Sequence, residues 1–217
     1  MGTLALSDAS LLALLIGLAA LLYASVGHGG ASAYLAAMAL YGLAPETMKP
    51  TALVLNLVVA SVGTITHVRA GHVKAKLIGP LIAASIPAAY LGGATKIGAE
   101  AYLPLLGVTL LVAAARVAWP FGDVEPRGGP PVLALVVAGA SIGFLSGLVG
   151  VGGGIFLSPL LLLFRWSDAK HTAGASVVFI LVNSASGLAG HVASLQQVPA
   201  ELWMLAPVAL VGGSAGA

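Results

Sequence analysis

Two glycine clusters, Gly27-His28-Gly29-Gly30 and Gly150-Val151-Gly152-Gly153-Gly154, are where this chain is best equipped to hold a ligand. Each precedes a short apolar stretch, 31–42 and 154–165. At about 1.5 Å per residue such a stretch makes roughly 18 Å of helix, too short to cross a hydrocarbon core of about 30 Å. Both read as half-helices behind a break, entering the membrane and turning back. A helix begun inside the membrane aims its free N–H groups and the positive end of its dipole at whatever fills the break. Glycine lets that backbone approach an anion closely. The chemistry is oxyanion recognition, with Gly29, Gly30, Gly152, Gly153 and Gly154 as donors.

Other polar groups fall on the helices that follow. His67 and His191 occupy matching places near the ends of two long apolar segments. A histidine there can donate to an anion or carry a coupled proton. His28 lies inside the first break, while His72 and His171 read as loop residues. Thr51, Asn56, Ser61 and Thr64 share one segment, and Ser176, Asn183, Ser184 and Ser186 another. These hydroxyls and amides suit either interhelical hydrogen bonds or replacement of an oxyanion's hydration shell. Asn56, Ser176 and Asn183 are taken as site residues.

Competing chemistries fare worse. The chain has no cysteine, which excludes disulfides, thiolate metal sites and cysteine nucleophiles. Its five histidines are scattered without an acidic partner at ligand spacing, so no metal or other cofactor is expected. Gly139-Ala140-Ser141-Ile142-Gly143 has the letters of a G-x-S-x-G nucleophile motif, but sits in an apolar helical run instead of a strand-to-helix elbow. Neither glycine cluster completes a nucleotide-binding pattern, and no strand precedes one. Gly139, Gly143 and Gly147 read instead as a small-residue packing stripe.

The segments that position these residues belong to a membrane. Of 217 residues, 59% are hydrophobic and 7% charged, against about 25% charged in soluble domains. The runs 9–45, 50–68, 77–95, 128–164 and 172–200 contain no Asp, Glu, Lys or Arg. Their continuous Leu- and Ala-rich character favours helices over a β-barrel. A net charge of +2, carried in loops, gives no basic stripe for nucleic acid. Helices are predicted at 9–26, 31–42, 51–68, 77–95, 101–119, 131–149, 154–165, 172–192 and 199–217. The first is read as part of the mature fold, since no basic residues precede it.

A shift of 124 residues lays Gly29-Gly30 on Gly153-Gly154, Gly63 on Gly187 and His67-Val68 on His191-Val192 without a gap. The expected organisation is a first transmembrane repeat over 1–119, a cytoplasmic linker over 120–130 and a second repeat over 131–217. Arg69, Lys74 and Lys76 load one first-half loop, whose second-half counterpart at 191–200 has no Lys or Arg. The loop at 164–171 carries Arg165 and Lys170 against Asp168, while its counterpart at 42–50 balances Glu46 with Lys49. The bias changes sides, as inverted repeats require, and puts the N-terminus outside and 116–130 inside. The second half ends at Ala217, which matches Gly93, and leaves 101–119 unpartnered. Either a further helix of about 20–25 residues or a seven-span variant is expected.

Gly150-Val-Gly-Gly-Gly-Ile-Phe-Leu-Ser-Pro159-Leu-Leu, then Ala175-Ser176 and Gly187-Leu-Ala-Gly-His191, resembles the second-half signature of the TauE/SafE sulfite exporter family. Gly27-His-Gly-Gly is similar to its weaker first-half copy. The resemblance covers essentially the whole chain. It implies a membrane transporter of sulfur oxyanions or organosulfonates, with duplicated halves and the glycine segments near the substrate path.

The expected protein is therefore an all-α polytopic protein of the cytoplasmic membrane. It has two inverted repeats with glycine-broken re-entrant hairpins, in contact with lipid, and assembly with further copies of itself is left open. It exports sulfite or a related anion from a site of Gly29, Gly30, Asn56, His67, Gly152, Gly153, Gly154, Ser176, Asn183 and His191. No carboxylate falls in an expected span, so coupling would rest on His191, His67 or the membrane potential. Two other readings stand beside it: an intramembrane serine hydrolase pairing Ser141 or Ser176 with His191, and a non-transporting subunit of a membrane complex.

Overall fold

Apolar runs with few turn signals give helices, and the computed structural model, which describes residues 6–118, 125–194 and 202–217, is built of them. They are α1 (Leu6–Ala24), α2 (Ala31–Leu40), α3 (Pro45–Arg69), α4 (Ala75–Ala94), α5 (Ala99–Ala118), α6 (Val132–Val149), α7 (Gly154–Leu163), α8 (Ala169–Ala193) and α9 (Leu202–Gly216). Among the described residues α1, α3, α4, α6 and α8 are long and apolar enough to cross a membrane. Their outward faces carry exposed Leu14, Leu22, Leu133 and Val137, and no soluble fold leaves such a surface to water. This is a membrane protein. Of the linker expected at 120–130 only 125–130 is described, and 198–201 lies outside the described residues.

Two boundaries differ instructively from the sequence reading. The helix expected from 51 starts at Pro45, because proline at the first helical position loses no hydrogen bond. Glu46 and Lys49, expected in a loop, are therefore helical. The helix expected from 172 starts at Ala169, capped by Asp168, whose carboxylate accepts the His171 backbone N–H at 3.0 Å. His171 is thus helical as well.

Glycine sets how the long helices pair. A Cβ on Gly139, Gly143 or Gly147 of α6 would run into the α4 backbone at Leu81, Ser85 and Ala89 in turn, so the two helices lie parallel in close contact. The expected packing stripe is real. In the same way Gly212 and Gly216 of α9 meet Gly17 and Leu21 of α1, again parallel. Between these pairs α3 and α8 cross antiparallel, with Gly63 against Val177 and Asn56 against Ser184. Buried apolar clusters fill either side, one with Tyr34, Met38 and Leu55, the other with Leu81, Leu135 and Phe179.

The backbones of the two glycine-led segments match at a different interval from the long helices. α2 and α7 start 123 residues apart, behind N-cap glycines at φ 91° (Gly30) and φ 85° (Gly153). α3 and α8 start 124 apart. The gapless shift is corrected by one residue, because the connection 164–168 is one longer than 41–44.

Candidate functional site

Both glycine breaks converge on the same two side chains. A Cβ on Gly29 would collide with Asn56 Oδ1 and come within 3.0 Å of Ile180 Cγ2. A Cβ on Gly152 would lie 2.5 Å from Asn56 Nδ2 and 2.9 Å from that same Ile180 carbon. Asn56 of α3 and Ile180 of α8 are 124 residues apart, the interval between the starts of those helices. The centre of the molecule is thus two glycine breaks closed over one residue from each long helix.

Asn56 is fully buried. Its Nδ2 donates to the Val151 carbonyl and to Ser184 Oγ, each at 3.3 Å, while Oδ1 has no hydrogen-bond partner. No backbone hydrogen bond of the turns and caps uses the N–H of Gly29, Gly30, Gly152 or Gly153. Free amides at two helix starts, beside an amide side chain, make an environment suited to negative charge. The space beside Gly29 and Gly30 is about 10 Å³, room for little more than one water. The centre is closed in this conformation.

A vestibule lies at each end of the α3–α8 pair. One, of about 390 Å³, is lined by His28, His67, His72, Ser158 and Lys170 among others. There His28 Nε2 stands 3.0 Å from Ser158 Oγ, which is 2.8 Å from Ser176 Oγ. The other vestibule, of about 260 Å³, is lined by Glu46, Lys49, Lys96, Tyr102 and His191 among others. Lys49 is 5% exposed, and its ammonium donates to the Gly93 carbonyl at 2.9 Å. The C-terminal end of α4, negative by its dipole, offsets a buried charge for which no ion pair is seen among the described residues.

The predicted site residues therefore divide. Gly29, Gly152 and Asn56 come together at the centre. Gly30 and Gly153 supply the left-handed caps beside it, and a Cβ on Gly153 would meet Phe179 at 2.8 Å and Ile142 at 3.0 Å, so its closeness serves packing. Gly154 opens α7 against Ile180. Ser176 joins the His28 chain, His67 lines the first vestibule and His191 the second. Asn183 is fully buried, and neither amide atom finds a partner among the described residues. Ser176 pairs with Ser158 and Ser141 is exposed, so the described contacts favour neither serine–histidine dyad.

Lys49 and Ser158 were missed. A lone lysine beside a proline and a glutamate reads as loop, and its partners are backbone carbonyls that leave no mark on a sequence. Ser158 lay within the quoted signature, so its position was visible but not its role.

A family model described as Sulfite exporter TauE/SafE matches residues 12–217. The chain belongs to this family. A relative described as probable membrane transporter protein y4hK, from Sinorhizobium fredii (strain NBRC 101917 / NGR234), is 42% identical over 205 residues, 91% of this chain and 82% of the relative. No solved structure matches. With its membrane-crossing helices, the protein is a membrane transporter of the TauE/SafE family.

Proposed function

We propose that the protein exports sulfite, or a related sulfur oxyanion or organosulfonate, across the cytoplasmic membrane. The observation that carries this reading is the convergence of both glycine breaks on Asn56, with free backbone amides on either side. The family description names sulfite export. Transport fits a closed centre between two vestibules better than catalysis does.

The architecture behind this reading is two inverted repeats joined near 120–130, each with a re-entrant hairpin made by the glycine break and its half-helix. Its support is the exchange of partners: α1 lies on α9 as α4 lies on α6, while α3 faces α8. Opening and closing would then be a rocking of one repeat against the other about the Asn56 centre. Asn183, buried with an unsatisfied amide, is a further contact for an anion once the centre opens.

Direction follows from charge. Arg69, Lys74, Lys76, Arg165 and Lys170, with Asp168, belong to the end that carries the histidine vestibule, and Glu46, Lys49, Lys96 and Glu100 to the other. Basic residues mark the cytoplasmic side, so His28, His67 and His72 face the cytoplasm and Lys49 the outside. An inside-negative potential drives an anion outward by about 2.3 kcal/mol per charge per 100 mV.

The test is thermal unfolding of the detergent-purified protein with sulfite, thiosulfate, sulfate, sulfoacetate, taurine and chloride at matched ionic strength. A ligand at about 100 times its Kd adds about 2.7 kcal/mol to the folded state. Selective stabilisation by a sulfur oxyanion or sulfonate supports the reading and names the substrate. Equal response to all six, or to none, overturns it.

A further inference from the structure

Four of the five histidines gather at one mouth, though they stand at 28, 67, 72 and 171 in the chain. The rings of His67 and His72 lie 5.9 Å apart edge to face, and those of His72 and His171 6.1 Å apart. His28, His67 and His72 line the vestibule and His171 backs His72. We propose that this mouth is a proton-binding site tied to the transported anion, so that an oxyanion entering it draws a proton onto the imidazoles and the two are bound together. The proposal rests on the anion-transport reading above.

The surroundings set the sign of the linkage. Lys170 lines the same vestibule, Arg69 stands two residues beyond His67 on α3, and Lys74 and Lys76 follow His72. On the α7–α8 side are Arg165 and Asp168. The Asp168 carboxylate is already engaged, with Oδ2 2.6 Å from His171 Nδ1 and 4.0 Å from Lys74 Nζ. Imidazole is the side chain able to change charge near neutral pH, and the other groups named at this mouth are cations and one carboxylate that is already paired. An anion in the vestibule supplies the missing opposite charge and favours protonation. By reciprocity, protonation then favours the anion.

The inner wall is built to register the proton. His28 Nδ1 lies 3.1 Å from the Val26 carbonyl, which can only accept, so Nδ1 carries hydrogen. In the neutral ring Nε2 then accepts from the Ser158 hydroxyl, and Ser158 accepts from Ser176. A proton arriving on Nε2 makes it a donor, so the Ser158 hydroxyl turns toward Ser176. The two serines thus reverse direction toward the centre of the bundle.

The experiment is calorimetric titration of sulfite into the detergent-purified full chain, between pH 6 and 8, in two buffers of different ionisation heat. The comparison is with the doubly substituted protein His67→Gln, His72→Gln. Sulfite's own protonation is common to both proteins, so their difference reports the protein. The wild type should take up close to one proton more per anion, with affinity rising up to about tenfold more per pH unit toward acid. Equal proton uptake and equal pH dependence, with both proteins binding sulfite and unfolding at similar temperatures, overturn the proposal. Absence of sulfite binding by the wild type at every pH overturns instead the substrate reading beneath it.

Discussion

The Lys49 ammonium lies 2.9 Å from the carbonyl oxygen of Gly93, so a buried cation near the start of α3 is held on the last turn of α4. The contact joins structure to function. α4 is pinned by glycine against α6 and α8, and Lys49 lines the vestibule that leads away from the Asn56 centre. A cation whose partners are neutral carbonyls keeps an attraction for an anion that a carboxylate partner would cancel.

Lys49→Met should therefore cut sulfite efflux from proteoliposomes about tenfold or more, the equivalent of losing roughly 1.4 kcal/mol. Lys49→Arg, which keeps the charge, should retain a substantial part. Equal efflux in Lys49→Met and wild type would reduce Lys49 to a helix cap.

The parallel α4–α6 contact should be sensitive to side-chain size. Gly143 faces the Ser85 backbone, with 2.6 Å from a would-be Cβ to the carbonyl oxygen, whereas nothing lies within 4 Å of one on Gly107. Gly143→Leu should lower stability by about 1–3 kcal/mol or more, seen as a lower Tm and a lower yield of folded protein. Gly107→Leu should leave both near wild type.

How much of this was legible in the sequence depends on whether a local rule decides the position. Gly139, Gly143 and Gly147 lie on one helix face by spacing alone. Gly29 and Gly152 announce themselves as glycines before short apolar stretches. Asn56, though, joins the breaks only because α3 and α8 cross antiparallel, and no local pattern carries that register. The one-residue slip between 123 and 124 hid for a related reason: the helices set the backbone interval, and adjacent glycines in each cluster satisfy either. His72 lies in a loop as read, one turn beyond His67, whereas His171 belongs to the first turn of α8 and reaches His72 only through the tertiary fold.

Asp168 gives a pH-dependent prediction outside the spans. Burial opposes its ionisation, but the hydrogen bonds from the His171 backbone and ring, with the charges of His171 and Lys74, hold its carboxyl below the usual range. A carboxyl depressed in the folded state stabilises fully above its unfolded value of about 3.9, and that gain is lost as pH falls through the lower folded value. Asp168→Ala should cost about 1 kcal/mol at pH 7 as a lost N-cap. The difference in Tm from wild type should shrink below about pH 4.

The central claim, that a sulfur oxyanion crosses between the two glycine breaks at Asn56, is tested most directly by sulfite efflux from proteoliposomes carrying wild type, Gly29→Ala or Gly79→Ala. Gly29 has no left-handed φ, so alanine there changes little except the space facing Asn56 and Ile180. Gly79 faces open space and serves as control. Wild type and Gly79→Ala should release sulfite at similar rates, and Gly29→Ala at about a tenth of that rate or less, with membrane insertion preserved. Wild-type release no faster than from protein-free vesicles, or equal release by Gly29→Ala, would contradict the account.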